Sequence, residues 1–457
     1  MTESTIERPL ESVDPTSGEH IRAWPELSAA ELERRLEQSR RTAIEWARVD
    51  VGERAPRCRR AAQLLRERVE PLALLMAEEM GKPVAQGRAE IEKCAATFEH
   101  FAGFAPGALA DETVSERERV VFRPLGPVLA IEPWNFPFWQ LVRFAAPALM
   151  AGNVVLLKHS ENVQGCAQAI EKLFADAGFP EGALLNLAVG VKRVPDLIGD
   201  PRVRAVTLTG STRAGRSVGA LAGAALKKCV LELGGSDPYV VLADADLELA
   251  AKTCVASRLI NAGQSCIAAK RFIVVESVRA ELTERMVARL RAVTVGDPRG
   301  AVDVGPLARG DLAVALERQV AASVERGARL VHRGAKPARG SFFAPVVLDG
   351  VRPGMPAFDE ETFGPAAAIV AAKDEDEAFA LANATAYGLG AALFTRDVER
   401  GLALARERLD AGNVFLNDFV RSDPRLPFGG IKDSGFGREL SAFGLREFVN
   451  VKTVVGG

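Results

Sequence analysis

The sequence predicts an α/β fold with two doubly wound domains, each built on a mostly parallel sheet with helices on both faces. Three observations lead to this prediction. Short apolar runs alternate with helix-length segments from about residue 127 to residue 233, and a second alternating region extends from about 236 to 440. A chain of 457 residues is also too long for one simple core, which indicates more than one domain.

A helical region is predicted ahead of the first sheet, over residues 28–105, because charged and apolar residues recur there at helical spacing. Ser28-Ala29-Ala30-Glu31 has the form of a capping box, which marks the start of a helix. Gly81-Lys82-Pro83 predicts a helix end followed by a restart.

The first alternating region contains predicted strands separated by predicted helices. The strands are at 128–131, 154–157, 184–189, 203–209 and 228–233. The helices are at 139–150, from about 163 to 177, around Pro195, and from about 212 to 224. Sheets of this kind bind ligands at the carboxyl ends of their strands, so we expect functional residues at that edge.

The second alternating region includes predicted strands at 239–242, 272–275, 366–370 and 414–416. Two valine-rich segments, 117–124 and 448–455, also alternate but fit neither domain. They are predicted to pair with each other, or with a partner subunit, as an exposed strand unit.

Composition argues against several classes of partner. The 58 basic and 60 acidic residues nearly cancel and no polybasic run stands out, so no nucleic-acid partner is expected. No apolar stretch reaches the roughly 20 residues of a membrane span, and the first residues lack the apolar run of a signal peptide. The cysteines and histidines lack the spacing of a structural zinc site, so no metal is expected. We expect a cytoplasmic enzyme.

The most informative segment is Asn261-Ala262-Gly263-Gln264-Ser265-Cys266. It places a cysteine on a glycine-relaxed turn before a strand-like run at 270–275. A cysteine held on a turn can be exposed to a ligand, and its thiolate is a strong nucleophile. The alternative interpretation of Cys266 is a small hydrophobic residue of the core.

Two further motifs carry polar side chains at predicted strand ends. Asn135 lies between two prolines in Pro133-Trp134-Asn135-Phe136-Pro137. Its amide is either an oxyanion donor, worth about 3–4 kcal/mol in a transition state, or the start of a turn. Glu232 lies in Leu231-Glu232-Leu233-Gly234-Gly235. Apolar neighbours could raise its pKa toward that of a general base, unless it caps a helix or pairs with an arginine.

The remaining motifs are not diagnostic when taken one at a time. Lys158 and Glu161 stand at a strand end, where they could bind vicinal hydroxyls or form a solvated ion pair. The turn Gly210-Ser211-Thr212-Arg213-Ala214-Gly215 leads into a predicted helix and offers backbone N–H groups to phosphate. Two loops, 361–365 and 427–432, each present a side chain before a sharp turn.

Together these motifs resemble the aldehyde dehydrogenase superfamily, in which they occur in this order and at these spacings. The resemblance covers essentially the whole chain, and Leu157-Lys158-His159 with the stretch 266–272 looks most like the bacterial succinate-semialdehyde dehydrogenase branch. It implies a Rossmann-type NAD(P)-binding domain at 1–108 and 126–234 and a catalytic domain at 235–440. It also implies a small β oligomerisation unit at 109–125 and 441–457, in a homodimer or homotetramer.

The resemblance also implies roles for the site residues. Cys266 is the expected nucleophile, Glu232 the general base, and Asn135, with the backbone N–H of Cys266, the oxyanion hole. Oxidation would proceed through a thiohemiacetal and a thioester that is hydrolysed to the acid. The residues expected to bind the cofactor are Trp134, Lys158, Glu161, Gly210, Ser211, Glu361 and Phe363.

Glu161 predicts a preference for NAD, because a carboxylate accepts hydrogen bonds from ribose hydroxyls and repels a 2′-phosphate. NADP remains possible, since the resembling branch uses it and Arg213 could reach a 2′-phosphate. Phe144 replaces a lysine that many relatives pair with the glutamate matching Glu439, so a proton-relay role for that position is not carried over. The family also has an arginine six residues before the nucleophile, where this chain has Ile260. The substrate pocket therefore differs from the family's best-known pattern.

The predicted substrate is an anionic aldehyde, with succinic semialdehyde as the first candidate. Its distal carboxylate would be bound by cationic and hydroxyl side chains, namely Arg143, Arg421, Ser422 and Arg425. The first alternative is a broad-specificity enzyme for neutral aldehydes. A thiol hydrolase or acyltransferase would need a histidine partner, and none of the four histidines has a convincing context. A non-catalytic relative would be expected to have lost part of the catalytic set.

Overall fold

Two sheets, one of six strands and one of seven, form the centre of the molecule, and nearly all of their strand pairs are parallel. The structure is a computed structural model, and it describes residues 10–456. Helices cover the faces of both sheets, and a third, three-stranded antiparallel sheet lies outside them. The predicted fold class is therefore confirmed.

The described chain starts with a two-stranded ribbon and four helices. These are β1 (Glu11–Val13), β2 (His20–Ala23), α1 (Ala29–Trp46), α2 (Val51–Glu67), α3 (Val69–Met80) and α4 (Val84–Ala108). The predicted capping box starts α1, because Ser28 Oγ accepts the Glu31 N–H and the Glu31 carboxylate accepts the Ser28 N–H. Gly81 ends α3 with φ 79°, a left-handed conformation that glycine adopts without strain. An antiparallel hairpin of β3 (Glu112–Ser115) and β4 (Glu118–Pro124) follows.

The six-stranded sheet takes five parallel strands from the first alternating region. In chain order the elements are β5 (Pro127–Glu132), α5 (Trp139–Met150), β6 (Val154–His159), α6 (Gln164–Asp176), β7 (Leu184–Asn186), α7 (Val194–Gly199), β8 (Ala205–Thr209), α8 (Thr212–Ala224) and β9 (Lys228–Glu232). Their spatial order is β9-β8-β5-β6-β7. The chain winds outward from β5 in one direction and from β8 in the other, so the switch point of the topology lies between these two strands, where ligands bind in sheets of this kind.

The seven-stranded sheet has the order β12-β13-β14-β11-β10-β16-β17, with only β12 antiparallel. The elements of this region are β10 (Pro238–Val241), α9 (Leu247–Leu259), β11 (Arg271–Val275), α10 (Glu276–Arg291), α11 (Gly310–Glu325), β12 (Arg329–Arg333), β13 (Val346–Asp349), α12 (Pro356–Asp359), β14 (Ala366–Ala372), α13 (Glu375–Asn383), β15 (Tyr387–Gly388), β16 (Gly390–Phe394), α14 (Val398–Arg408) and β17 (Asn413–Leu416), of which β15 lies outside the sheet. All residues of β10, β11 and β16 are buried, as expected for parallel strands covered on both faces.

The last segment ties the sheets together. It contains β18 (Ile431–Lys432), β19 (Gly435–Phe436), α15 (Ser441–Glu447) and β20 (Val449–Val455). β18 pairs with β15, β19 adds an antiparallel edge to β9, and β20 pairs along its whole length with β4. Of the two pairings predicted for the valine-rich segments, the chain therefore forms the one between its own strands. Within residues 10–456, no helix is both long enough and apolar enough to cross a membrane.

Candidate active site

Cys266 follows a strained turn that ends α9 and precedes β11. Asn261 and Ala262 have φ of 53° and 55°, a left-handed conformation that is uncommon for residues other than glycine. Asn261 Nδ2 donates to the backbone oxygens of Asn135 (2.7 Å) and Gln264 (3.2 Å), and Gln264 Nε2 donates back to the Asn261 carbonyl (3.2 Å). These buried side-chain bonds hold the strained backbone in place, which is a common property of functional loops.

The residues after the turn are fixed by Lys270, which is fully buried at the start of β11. Its ammonium donates to the carbonyl oxygens of Ser265 (3.0 Å) and Cys266 (2.7 Å). The same Nζ lies 3.6 Å from Glu361 Oε1. Lys270 therefore links the cysteine loop to one of the predicted cofactor residues.

Cys266 lies where two cavities meet. One cavity has a volume of about 220 Å³ and the other about 140 Å³, and Cys266 and Gln140 line both. The larger cavity is also lined by six residues predicted from the sequence, namely Trp134, Asn135, Gly210, Ser211, Glu361 and Phe363. The thiol thus has one neighbour site that matches the predicted cofactor residues and a second, separate site on the other side.

The larger cavity is lined by a carboxylate, two aromatic rings and the start of a helix, groups that suit a dinucleotide. Glu361 Oε1 accepts the Gly235 N–H at 3.1 Å, and a Cβ at Gly234 would lie 2.5 Å from Glu361 Oε2, so glycine makes room for the carboxylate. The Trp134 and Phe363 rings meet edge to face with centroids 5.7 Å apart. The α8 N-terminus, which begins after Ser211, lies at the same cavity and suits a phosphate. These residues fit the NAD(P) predicted for this site.

Lys158 and Glu161 stand apart from this cavity, at the carboxyl end of β6. They form an ion pair of 2.5 Å in which 5% of the Lys158 side chain and 14% of the Glu161 side chain are exposed. The pair is therefore mostly buried rather than solvated. Because β6 neighbours β5 in parallel register, the pair lies along the same sheet edge as the Asn135 loop.

Asn135 is held by Gln264 of the cysteine segment and by residues outside the motifs found in the sequence. Its Nδ2 donates to the Gln264 carbonyl at 3.0 Å, which leaves the second amide hydrogen for another acceptor. Glu90, on α4, accepts the N–H groups of Phe138 (3.0 Å) and Trp139 (2.9 Å) at the start of α5 and so anchors the loop after Asn135.

Lys82 completes this anchor. It forms a buried ion pair with Glu90 and lies 3.8 Å from the centroid of the Phe136 ring. Gly81-Lys82-Pro83 was interpreted only as a helix boundary, and no local pattern marks Lys82 as a support of the Asn135 loop.

Glu232 lies at the end of β9, in a buried position. Neither carboxylate oxygen has a hydrogen-bond partner among residues 10–456. Gly429 has φ 155°, and a Cβ there would lie 2.7 Å from Glu232 Oε1, so a glycine is required beside the carboxylate. Glu232 lines neither cavity, but its neighbours Leu233 and Gly234 line the larger one.

Arg143 lines the smaller cavity from α5, but its charge already has a partner. It forms a buried ion pair with Glu439, donates to Thr209 Oγ1 at 3.3 Å, and lies 4.7 Å from the Phe428 ring centroid. Phe144, next to it, packs against Phe448 instead. In the resembling family a lysine at the position of Phe144 is proposed to pair with the glutamate. In this chain the neighbouring Arg143 pairs with Glu439 instead.

The other predicted substrate residues separate in space. Arg421 and Ser422 line the smaller cavity, as does Ile260. Arg425 does not line it, because its guanidinium pairs with Asp423 and three quarters of its side chain is exposed. Lys93 lines the same cavity and was not identified from the sequence.

The match to known proteins agrees with this geometry. The profile described as the aldehyde dehydrogenase family matches residues 1–454. The chain belongs to the aldehyde dehydrogenase family. It is an NAD(P)-dependent aldehyde dehydrogenase, as the motifs predict, and it is similar to succinate-semialdehyde dehydrogenases.

Two curated relatives show how far the similarity extends. The chain is 48% identical over 448 residues to succinate semialdehyde dehydrogenase [NAD(P)+] Sad of Escherichia coli (strain K12), covering 97% of each chain. It is 45% identical to succinate-semialdehyde dehydrogenase [NADP(+)] of Deinococcus radiodurans, covering 98% of this chain and 95% of that one.

Two solved structures have the same fold. Gox0499, from a study of its cofactor and substrate selection, superposes with a TM-score of 0.96 at 40% identity, over 98% of this chain and all of the other. Succinic semialdehyde dehydrogenase from Streptococcus pyogenes, in complex with NADP+, superposes with a TM-score of 0.94 at 34% identity, over 98% and 99%.

In this aldehyde dehydrogenase, burial dominates the acid–base properties of the reacting groups. Burial raises the pKa of the Cys266 thiol to about 12, although Arg143 and Lys270 act in the opposite direction. Burial also raises the pKa of Glu232 well above its usual value, and Arg143 again opposes the shift. Both shifts favour the neutral form of the group, the thiol of Cys266 and the carboxylic acid of Glu232.

Proposed function

We propose that the protein oxidises succinic semialdehyde to succinate, with NAD as the preferred cofactor. The observation that carries the proposal is the smaller cavity beside Cys266. It is small, at about 140 Å³, and cationic, since Lys93, Arg143 and Arg421 all line it. A short aldehyde with a carboxylate at its far end matches both properties. The names of the two curated relatives support the same substrate.

The proposed reaction uses the residues around the two cavities. The Cys266 thiol releases its proton to solvent and the thiolate attacks the aldehyde carbon, and the resulting oxyanion accepts hydrogen bonds from Asn135 Nδ2 and the Cys266 backbone N–H. The nicotinamide, when bound, supplies the hydride acceptor. Glu232 then takes a proton from a water that attacks the Cys266 thioester, and succinate leaves. A carboxylate whose pKa is raised by burial suits the last step, because a base works best with a pKa near the working pH.

The NAD preference rests on Glu161. Its carboxylate pairs with Lys158 at the sheet edge, so the positive charge of Lys158 is already balanced and is not available to attract a 2′-phosphate. The carboxylate itself can accept hydrogen bonds from ribose hydroxyls. The relative from Deinococcus radiodurans is named for NADP. The proposal therefore gives this chain a different cofactor preference from the one in that enzyme's name.

We therefore expect kcat/KM for NAD to exceed kcat/KM for NADP by at least about tenfold, since like-charge repulsion costs roughly 1.4 kcal/mol or more. Glu161→Ser should raise kcat/KM for NADP by about tenfold and lower it for NAD. Glu181→Ser, at an exposed carboxylate before β7 and therefore at the opposite edge of the sheet, serves as the control. A wild-type enzyme that prefers NADP would show that Glu161 does not select the cofactor.

The substrate is tested by comparing succinic semialdehyde with butanal, which has the same four-carbon chain and no carboxylate. NADH absorbance is followed for both aldehydes and for an aromatic one. We expect kcat/KM for succinic semialdehyde to be at least about tenfold higher, the value of one charge-assisted hydrogen bond. Equal or faster oxidation of butanal would favour the alternative of a neutral aldehyde.

We also propose a cytoplasmic homodimer or homotetramer. The β20-β4-β3 sheet supports this assembly because most of β20 is exposed, including Val451 (59%) and Val455 (64%). β17 is an edge strand of the seven-stranded sheet and could accept another strand.

A further inference from the structure

The three cationic side chains of the smaller cavity differ in how their charges are compensated. Arg143 is paired with Glu439. Arg421 is paired with Asp418 at 2.5 Å, and 48% of its side chain is exposed. Lys93 makes no ion pair with any residue between 10 and 456. It is therefore the cation of this cavity that has no carboxylate within ion-pair distance among these residues, although Glu90 and Asp423 act on it from further away.

The Lys93 ammonium is held in a defined position by two contacts. Its Nζ donates to Ser422 Oγ at 2.8 Å and lies 4.1 Å from the centroid of the Trp139 ring. These three residues come from α4, from the start of α5 and from the loop after β17, and all three line the cavity. An ammonium has three N–H donors, and a hydroxyl that accepts one of them can still donate its own hydrogen.

We propose that Lys93 binds the distal carboxylate of the substrate beside Ser422, which the sequence already assigns to that carboxylate, and that Lys93 is the residue that selects an anionic aldehyde. This inference rests on the proposed function and names the group that would carry its specificity. One carboxylate oxygen accepts a hydrogen bond from the ammonium and the other accepts one from the Ser422 hydroxyl. The Trp139 ring supports the ammonium from its other side.

Arg143 is better placed for the reacting end. Its charge is balanced by Glu439, and it acts on Cys266 and Glu232, whose pKa values it lowers against the effect of burial. Lys93 has no such partner. A four-carbon substrate would thus have its aldehyde at Cys266 and its carboxylate at Lys93, with apolar residues such as Ile260 along the chain.

The pH dependence of binding provides a separate readout. Burial, and to a smaller extent the charge of Arg143, lower the pKa of Lys93 to about 8, while Cys94, Glu90 and Asp423 act in the opposite direction. Above pH 8 the ammonium loses its proton, so KM for an anionic aldehyde should rise. Arginine keeps its charge at these pH values, so Lys93→Arg should flatten this rise.

The direct test is Lys93→Met. For succinic semialdehyde, KM should rise about tenfold to hundredfold, the range for losing a hydrogen-bonded charge. We expect kcat to change less than about threefold and KM for butanal less than about twofold. Lys93→Arg should recover most of the loss. Lys172→Met, an exposed lysine on α6, is the matched control and should change neither substrate.

The outcomes separate this inference from the proposed function. A wild-type enzyme without preference for succinic semialdehyde over butanal contradicts both. A wild-type enzyme with that preference, but with an unchanged KM in Lys93→Met, overturns the inference alone. Equal losses for both aldehydes would mean that Lys93 only supports the fold. If Lys93→Met does not fold, Ser422→Ala decides: KM should rise about threefold to tenfold for succinic semialdehyde only, and no change overturns the inference.

Discussion

Replacement of Cys266 by alanine is expected to reduce kcat for aldehyde oxidation by at least about 10⁴-fold, because covalent catalysis has no other nucleophile available here. The described structure contains six free cysteines, but Cys266 is the one that lines both cavities. The effect should be on kcat rather than on folding, since the side chain is small and partly buried.

Steady-state NADH formation measures the loss, and the melting temperature verifies that the variant is folded. Cys229→Ala is the matched control, because Cys229 is also partly buried and lies outside both cavities. The control should retain nearly full activity. Residual activity above about one tenth of wild type in Cys266→Ala would contradict the assignment of the nucleophile.

Replacement of Glu232 by glutamine should slow the hydrolysis of the thioester while leaving its formation possible. We expect kcat to fall by about 10²- to 10⁴-fold, the usual contribution of a general base. Because hydride transfer precedes hydrolysis, the variant should still release a burst of about one NADH per subunit. The amide keeps the volume of the carboxylate, so the close contact with Gly429 is preserved.

Rapid mixing of the enzyme, NAD and succinic semialdehyde measures the burst. The control is Glu447→Gln, at a carboxylate that pairs with Lys228 and lies outside both cavities. A low kcat without a burst would show that Glu232 acts before the thioester forms. Such a result would contradict its proposed role as the base of the hydrolysis step.

Local patterns were sufficient for the elements with strong periodicity. The predicted helices at 139–150 and 212–224 agree with α5 and α8 to the residue. β16 and β13 were not predicted. β16 reads Gly-Ala-Ala-Leu-Phe, and the weak strand preference of glycine and alanine is outweighed by burial between two parallel neighbours. β7 ends at Asn186, before the predicted end at 189, because the Ala188 carbonyl accepts a hydrogen bond from Leu27 outside the sheet.

The residues of the site also fall into two groups, those that a local motif predicts and those that it does not. Cys266, Asn135 and Glu361 lie in short motifs whose residue types already indicate their chemistry, and the fold brings them to one cavity. Lys93 could not be identified, because its partner Ser422 is 329 residues away in the sequence. The pairing of Arg143 with Glu439 is equally remote. Such contacts depend on how the helices pack, and no local spacing encodes them.

A thiol at the wall between two cavities gives the two reactants separate routes. On the proposed assignment of the cavities, the dinucleotide and the aldehyde would reach Cys266 from different sides, so neither would have to pass the other on the way in or out. Cys266 would then be the reacting group that both ligands contact, and Gln140 is the other residue that both cavities share.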